Sequence, residues 1–201
     1  MKTFRVILFA AVCLIAINMN AQEKKTTFGI KLGLNICDLS ASDGRDFDNT
    51  KSKTGLLAGI TLDYAFTHQW YLMTGLEYSS KGVKIDMGGS EDMSVTAAYA
   101  QLPVCAGFKY SVNETLAIVA KLGPYFAYGL HGKTKMGSYE EDTFSDEVAK
   151  NFDCGIHFGA GVEYQKFNFM LGGESGMVNI MQANNTKAET RNFALSVGYK
   201  F

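Results

Sequence analysis

Residues 54–66 read TGLLAGITLDYAF, and apolar side chains occupy every second position of this stretch. Leu56 and Ile60 fall on one face of an extended chain, whereas Gly59 and Asp63 fall on the other. Alternation with a period of two is the pattern of a strand whose two faces meet different surroundings. The stretch therefore predicts a β-strand with one apolar face and one face of small and polar residues.

The same alternation recurs along most of the chain. It predicts strands near 27–37, 54–66, 70–82, 97–110, 115–130, 153–165, 168–178 and 190–201. Short connections alternate with long ones, and the long ones cover 38–53, 83–96, 131–152 and 179–189. This alternation of turn lengths is typical of transmembrane barrels, in which ~9–11 residues let a tilted strand cross. We therefore predict an all-β fold, an eight-stranded antiparallel up-and-down transmembrane β-barrel of the outer-membrane type.

The composition of the polar face indicates which side is the interior. It mixes glycine with long charged residues, and the lumen of an eight-stranded barrel is just wide enough for side chains to fill. Buried charges are costly unless they are paired, so a salt-bridged interior that closes the lumen is expected. The predicted interior charge network consists of Lys31, Asp63, Glu77, Lys109, Lys121, His157, Glu163, Glu174 and Lys200.

The apolar face is then expected to contact lipid. Aromatic residues crowd the end with the short turns, where an interfacial girdle belongs. The predicted girdle is Phe28, Tyr64, Phe66, Trp70, Phe108, Tyr110, Tyr164, Phe167, Phe169, Tyr199 and Phe201.

The N-terminal residues have the layout of an export signal. Lys2 and Arg5 precede an uninterrupted apolar run over 6–17, and the small residue Ala21 precedes Gln22. We predict a signal peptide over 1–21, cleavage between Ala21 and Gln22, and a barrel domain over 22–201. The predicted location is the cell outer membrane.

The chain closes with NFALSVGYKF, an alternating strand pattern. Its aromatic residues Tyr199 and Phe201 resemble the C-terminal signal that the outer-membrane assembly machinery recognises. That machinery, outer-membrane lipid and lipopolysaccharide are the expected partners. The formal net charge of −1 calls for no nucleic acid.

Four short stretches carry a family resemblance: GIKLGLN, YLMTGLEYSSKG, YAQLPV and KLGPYFAYGL. They resemble the PorT-type outer-membrane β-barrel family of Bacteroidetes, and the likeness covers essentially the whole mature chain. The resemblance implies a porin-like small barrel. It also implies secretion-complex proteins as partners, because the family's namesake is implicated in secretion through the outer membrane.

Nothing in the sequence forms a recognisable catalytic or metal site, so we expect no enzyme activity and no cofactor. His68, His131 and His157 fall on different strands or ends. Cys37, Cys105 and Cys154 form no regular disulfide framework, although one pair could bridge. Two acidic loop segments match no known cation-binding spacing.

Three alternatives remain open from the sequence. A soluble periplasmic barrel of the lipocalin type would also alternate, with its apolar face turned inward. An outer-membrane enzyme that modifies lipid would use a histidine such as His131 at the outer bilayer edge. A small-solute pore would need an open lumen.

Overall fold

A computed structural model of the chain describes residues 25–41, 50–86, 92–136, 139–142, 151–177 and 188–201. The predicted signal peptide and its cleavage site at Ala21 and Gln22 lie outside these residues. The described residues form nine strands: β1 (Thr26–Ala41), β2 (Thr50–Ala65), β3 (Trp70–Asp86), β4 (Asp92–Ser111), β5 (Leu116–Met136), β6 (Tyr139–Asp142), β7 (Phe152–Tyr164), β8 (Phe167–Gly176) and β9 (Ala188–Lys200). In the same residues, no helix is long and apolar enough to cross a membrane.

Eight of these strands close into an antiparallel barrel. The ring runs β1, β2, β3, β4, β5, β7, β8 and β9, and pairing of β9 with β1 completes it. The short β6 pairs with residues 133–136 at the end of β5 and stands outside the ring. Closure leaves no strand edge unpaired within a bilayer, where backbone amides find no water to bond. The predicted fold class is confirmed.

Most of the barrel strands are longer than the sequence predicts, and several predicted loop boundaries are wrong. β3 continues to Asp86 and β5 to Met136, whereas the sequence predicts loops from residue 83 and from residue 131. β6 also lies inside a predicted loop. Beyond the bilayer, both faces of a strand meet water, so the apolar alternation stops while backbone pairing continues. The alternation of apolar residues in the sequence therefore predicts only the part of each strand that contacts lipid.

The apolar face points outward around the whole ring. Leu32 is 62% exposed, Leu122 60% and Leu171 68%. In backbone register, Ile30 lies between Ile60 and Tyr199 and continues this apolar surface from strand to strand. A water-soluble protein would not expose a continuous apolar belt of this kind. The lipocalin-type alternative, which requires the apolar face inside, is therefore excluded.

The short turns hold one end of the barrel together. Thr67 Oγ1 accepts a hydrogen bond from the Trp70 backbone amide at 2.9 Å, and Asn113 Oδ1 accepts one from Leu116 N at 2.8 Å. Such side-chain bonds to nearby amides favour tight turns. Both chain-terminal barrel strands reach the same end, where Phe201 N donates to Phe28 O at 2.9 Å.

Aromatic rings pair edge-to-face at this end. Trp70 lies 5.0 Å from Phe108, and Tyr199 lies 5.3 Å from Phe167 and 5.4 Å from Phe201 between ring centroids. Edge-to-face pairs at these distances are favourable. The predicted assembly-signal residues Tyr199 and Phe201 thus lie within the aromatic girdle.

Candidate functional site

The interior near the short turns contains a cluster of two lysines and two carboxylates. Lys200 Nζ lies 2.8 Å from Asp63 Oδ2 and 2.6 Å from Glu163 Oε2. Lys109 also donates to Glu163, which therefore bridges the two lysines. These four residues come from β2, β4, β7 and β9, so their contacts cross the lumen from wall to wall.

A second ion pair lies deeper in the barrel. Lys31 Nζ is 2.5 Å from Glu77 Oε1, and both side chains are almost fully buried. Lys121 lies nearby and, in the described part of the chain, has no ion-pair partner of its own. A cavity of about 40 Å³ lies between the Lys31–Glu77 pair and the cluster near the short turns. Its lining includes Lys31, Lys121 and Lys200.

Glu174 organises the half of the interior that is nearer the long loops. Lys81 Nζ lies 2.8 Å from Glu174 Oε2, and His157 Nδ1 lies 3.2 Å from Glu174 Oε1. Gln101 donates a further bond to Oε1, and Asn192 Nδ2 donates to Oε2 at 3.3 Å. A buried carboxylate with this many partners is well compensated.

Lys81 is held by more than this one carboxylate. Asp153 Oδ2 lies 4.0 Å from its ammonium group, and the Tyr125 hydroxyl donates to the same Asp153 oxygen at 3.0 Å. The ammonium group also lies 5.0 Å from the Tyr125 ring centroid and 5.4 Å from that of Tyr99. Cation–π contacts at these distances add to the attraction.

The predicted network is thus distributed over three levels of the lumen. Around Glu174 it includes Lys81 and Asp153, which the sequence reasoning did not select. Both lie close to the ends of their predicted strands, where the outer face loses its apolar residues. Their positions along the strands could have identified them. Lys81 lies four residues after Glu77 and Asp153 four residues before His157, so each lies on the same strand face as a residue of the predicted network.

Glycine makes the filled interior sterically possible. A Cβ atom on Gly107 would lie 2.2–2.5 Å from three atoms of the Tyr71 ring, far inside contact distance. The ring of Tyr71 therefore lies directly against the β4 backbone. This close approach explains why the polar face combines glycine with large side chains.

The histidines lie at three separate places. His68 is exposed in the turn between β2 and β3, and His157 is buried against Glu174. His131 lies on β5, although the sequence placed it at the start of a loop. Its ring stacks on Tyr78 with centroids 6.1 Å apart, and its Nε2 lies 3.4 Å from the Tyr78 hydroxyl.

Neither metal nor disulfide chemistry is visible in the described residues. Within them, no three His, Cys, Asp or Glu side chains are arranged to hold a metal ion. Cys37, Cys105 and Cys154 form no disulfide with one another.

Comparison with solved structures finds outer-membrane proteins that align over most of this chain. OprG, an outer membrane protein of Pseudomonas aeruginosa, aligns with a TM-score of 0.50 at 16% identity, covering 87% of this chain and 95% of that one. Neisserial surface protein A aligns with a TM-score of 0.48 at 14% identity, covering 87% and 97%. Ail, the attachment invasion locus protein of Yersinia pestis, aligns with a TM-score of 0.46 at 16% identity, covering 88% and 99%.

No curated protein matches the chain significantly. A family model described as outer membrane protein beta-barrel domain matches residues 20–182, which is most of the chain. That match agrees with the closed eight-stranded ring and its apolar exterior. The chain therefore belongs to the outer membrane protein beta-barrel domain family and is a small barrel of the outer membrane.

Proposed function

We propose that the protein is a non-enzymatic and non-conducting barrel that acts in envelope structure and surface recognition. In this role, the strands anchor a rigid scaffold in the outer membrane. The strand ends and loops on the long-loop side are the parts that a partner would contact. Functional contacts commonly lie on loops that a rigid scaffold positions.

The filled lumen is the observation that carries the proposal. Glu163 joins Lys109 and Lys200 across one half of the interior, and Glu174 joins Lys81 and His157 across the other. Opening a path for solutes would require separating these ion pairs, whose carboxylates on Glu163 and Glu174 are buried. Breaking a buried pair is strongly unfavourable, so the closed state is expected to dominate.

The length of the strands supports a role at the surface. β3, β4 and β5 continue past the last outward apolar residues, and β6 adds a further pairing to the end of β5. Extended hairpins of this kind present a defined surface instead of a flexible loop. Association with a secretion complex is one such role, and the resemblance to the PorT-type family supports it.

Single-channel recording in a planar bilayer tests the closed lumen. The purified full chain is inserted after its folding has been checked by heat-modifiable gel mobility. We expect no large steady conductance, and the matched control is the same folded preparation heated before insertion. A stable, ohmic current that only the folded preparation produces would refute the proposal in favour of the small-solute pore.

A further inference from the structure

A polar cavity of about 260 Å³ lies on the outer wall of the barrel, on the side of the long loops. Its lining includes Lys53, Ser80, Thr96, His131, Lys133 and Lys135. The alternation along β3 and β4 places it outside, since Lys81 and Tyr99 point into the lumen and their neighbours Ser80 and Ala98 point away. No carboxylate belongs to the described lining.

The cavity begins where the apolar belt ends. Tyr78, Ala100 and Tyr128 form one outward row in backbone register, and Tyr128 is 58% exposed. The next outward row is Ser80, Ala98 and His131. Successive rows on one face lie only ~7 Å apart, because each residue of a strand advances by about 3.3 Å. The cavity therefore borders the apolar belt, at the level where lipid headgroups are expected.

Lys53 is the central cation of this cavity. A bulge between Ser52 and Leu57 interrupts the pairing of β2 with β3 beside it. The Lys53 ammonium group reaches across to β4, where it lies 2.7 Å from Thr96 Oγ1 and 3.3 Å from Ser94 Oγ. In the described residues, these two hydroxyls are its hydrogen-bond partners, so hydroxyls orient its charge without neutralising it.

Gly82 provides the path that Lys53 follows across β3. A Cβ atom at this glycine would lie 2.9 Å from Lys53 Cδ. A side chain at position 82 would therefore push Lys53 away from Thr96. The open space at Gly82 and the hydroxyls of β4 therefore determine where the Lys53 ammonium group lies.

Further donors surround this ammonium group. Ser80 and His131 line the same cavity, and the His131 ring is positioned by its stacking on Tyr78. Lys133 and Lys135 also line it, but both residues already have interaction partners elsewhere. Lys53 is therefore the cation expected to carry a contact with an anion.

We propose that this cavity binds a phosphate group of a phosphorylated glycolipid in the outer leaflet. Lys53 would supply the charge, with Ser80, Thr96 and His131 as further hydrogen-bonding groups, and the acyl chains would lie against the apolar belt below. Phosphate oxygens form strong charge-assisted bonds with such donors. The inference rests on the proposed orientation of the barrel, with its long loops at the cell surface.

Native mass spectrometry of the folded full chain in detergent tests this site. The chain is titrated with diphosphoryl lipid A and, in parallel, with the same lipid after enzymatic removal of its phosphates. We expect the phosphorylated lipid to bind at least about tenfold more tightly, which corresponds to ~1.4 kcal/mol. Lys53→Gln should abolish this preference.

Two further variants separate the site from general charge effects. Gly82→Val keeps the charge of Lys53 but displaces its side chain, so it should also weaken binding of the phosphorylated lipid. Lys166→Gln removes an exposed lysine at the opposite end of the barrel and should leave the preference unchanged. Heat-modifiable gel mobility confirms that each variant is folded.

Several results would overturn the inference. Equal binding of both lipids, or an unchanged preference in Lys53→Gln, would show that the cavity does not recognise phosphate. Displacement of the lipid by an equal concentration of inorganic phosphate would show that the occupant is the free ion. A change in the mass of the bound lipid would show that the protein modifies the lipid instead of only binding it. The conductance measurement tests the closed lumen and does not depend on lipid binding. The failure of the phosphate site and the failure of the closed barrel can therefore be told apart.

Discussion

Replacing Lys81 by Met is the most direct perturbation of the filled lumen. Met has a similar length and an apolar end, so the substitution removes the charge with little change in volume. Lys81 is only 5% exposed, and its ammonium group lies 2.8 Å from one Glu174 oxygen and 4.0 Å from Asp153. The variant leaves two buried carboxylates without this shared cation.

The remaining contacts determine the size of the expected effect. Removing one partner of a buried ion pair typically costs about 3–5 kcal/mol. Glu174 keeps His157, Gln101 and Asn192 as partners, and Asp153 keeps the hydroxyl of Tyr125. We therefore expect a loss near the lower limit, about 3 kcal/mol of the free energy of unfolding.

Urea unfolding in lipid vesicles measures this loss. With a typical urea dependence of about 1–3 kcal/mol per molar, the midpoint should fall by roughly 1–3 M. Lys25→Met is the matched control, because this lysine is exposed at the short-turn end, where a surface substitution should change stability by less than about 0.5 kcal/mol.

A double variant tests the cause of the loss. Lys81→Met combined with Glu174→Gln removes both charges of the pair and should recover at least about 1 kcal/mol relative to Lys81→Met alone. A loss below about 1 kcal/mol in the single variant would refute the reasoning, since exposed ion pairs contribute only that much. Strict additivity of the two substitutions would refute it as well.

Two further predictions concern the outer wall and the interior glycine residues. Leu122→Arg places a charge in the middle of the apolar belt and should destabilise the barrel in vesicles by about 2–4 kcal/mol. Tyr110→Arg, in the aromatic girdle, should cost only about 0–1 kcal/mol. Equal losses would contradict the placement of Leu122 deeper in the bilayer than Tyr110. Gly107→Ala should destabilise by about 1–3 kcal/mol because its methyl group meets the Tyr71 ring. Gly198→Ala meets its nearest atom only at 3.1 Å, so urea unfolding should show a smaller loss, and a larger one would argue against close packing at Tyr71.

The barrel itself could be predicted because its signal is local. Within the bilayer, every second side chain meets lipid and the others meet the lumen, so residues such as Ile60 and Asp63 reveal the strand and its faces directly. Closure followed from the same reasoning, since an open sheet would leave amides unpaired in hydrocarbon. The strand ends could not be predicted, because strand pairing continues beyond the apolar belt, where it needs no apolar alternation.

The alternation along each strand predicts which charged residues face the interior. It does not predict which lysine pairs with which carboxylate. Which lysine meets which carboxylate depends on the register and shear of the closed ring, and these place residues from distant strands opposite each other across the lumen. Lys81, from the end of β3, thus meets Glu174 of β8 and Asp153 of β7, while Lys121 makes no ion pair in the described part of the chain.

The sequence by itself determined the alternation, the identity of the lipid-facing residues and the balance of charges inside. Each of these follows from side chains that are neighbours along one strand. Only the tertiary structure decided the three levels of the interior network and the polar cavity around Lys53. Both combine residues from several strands, and the bulge beside Lys53 and the open path over Gly82 exist only once those strands have paired.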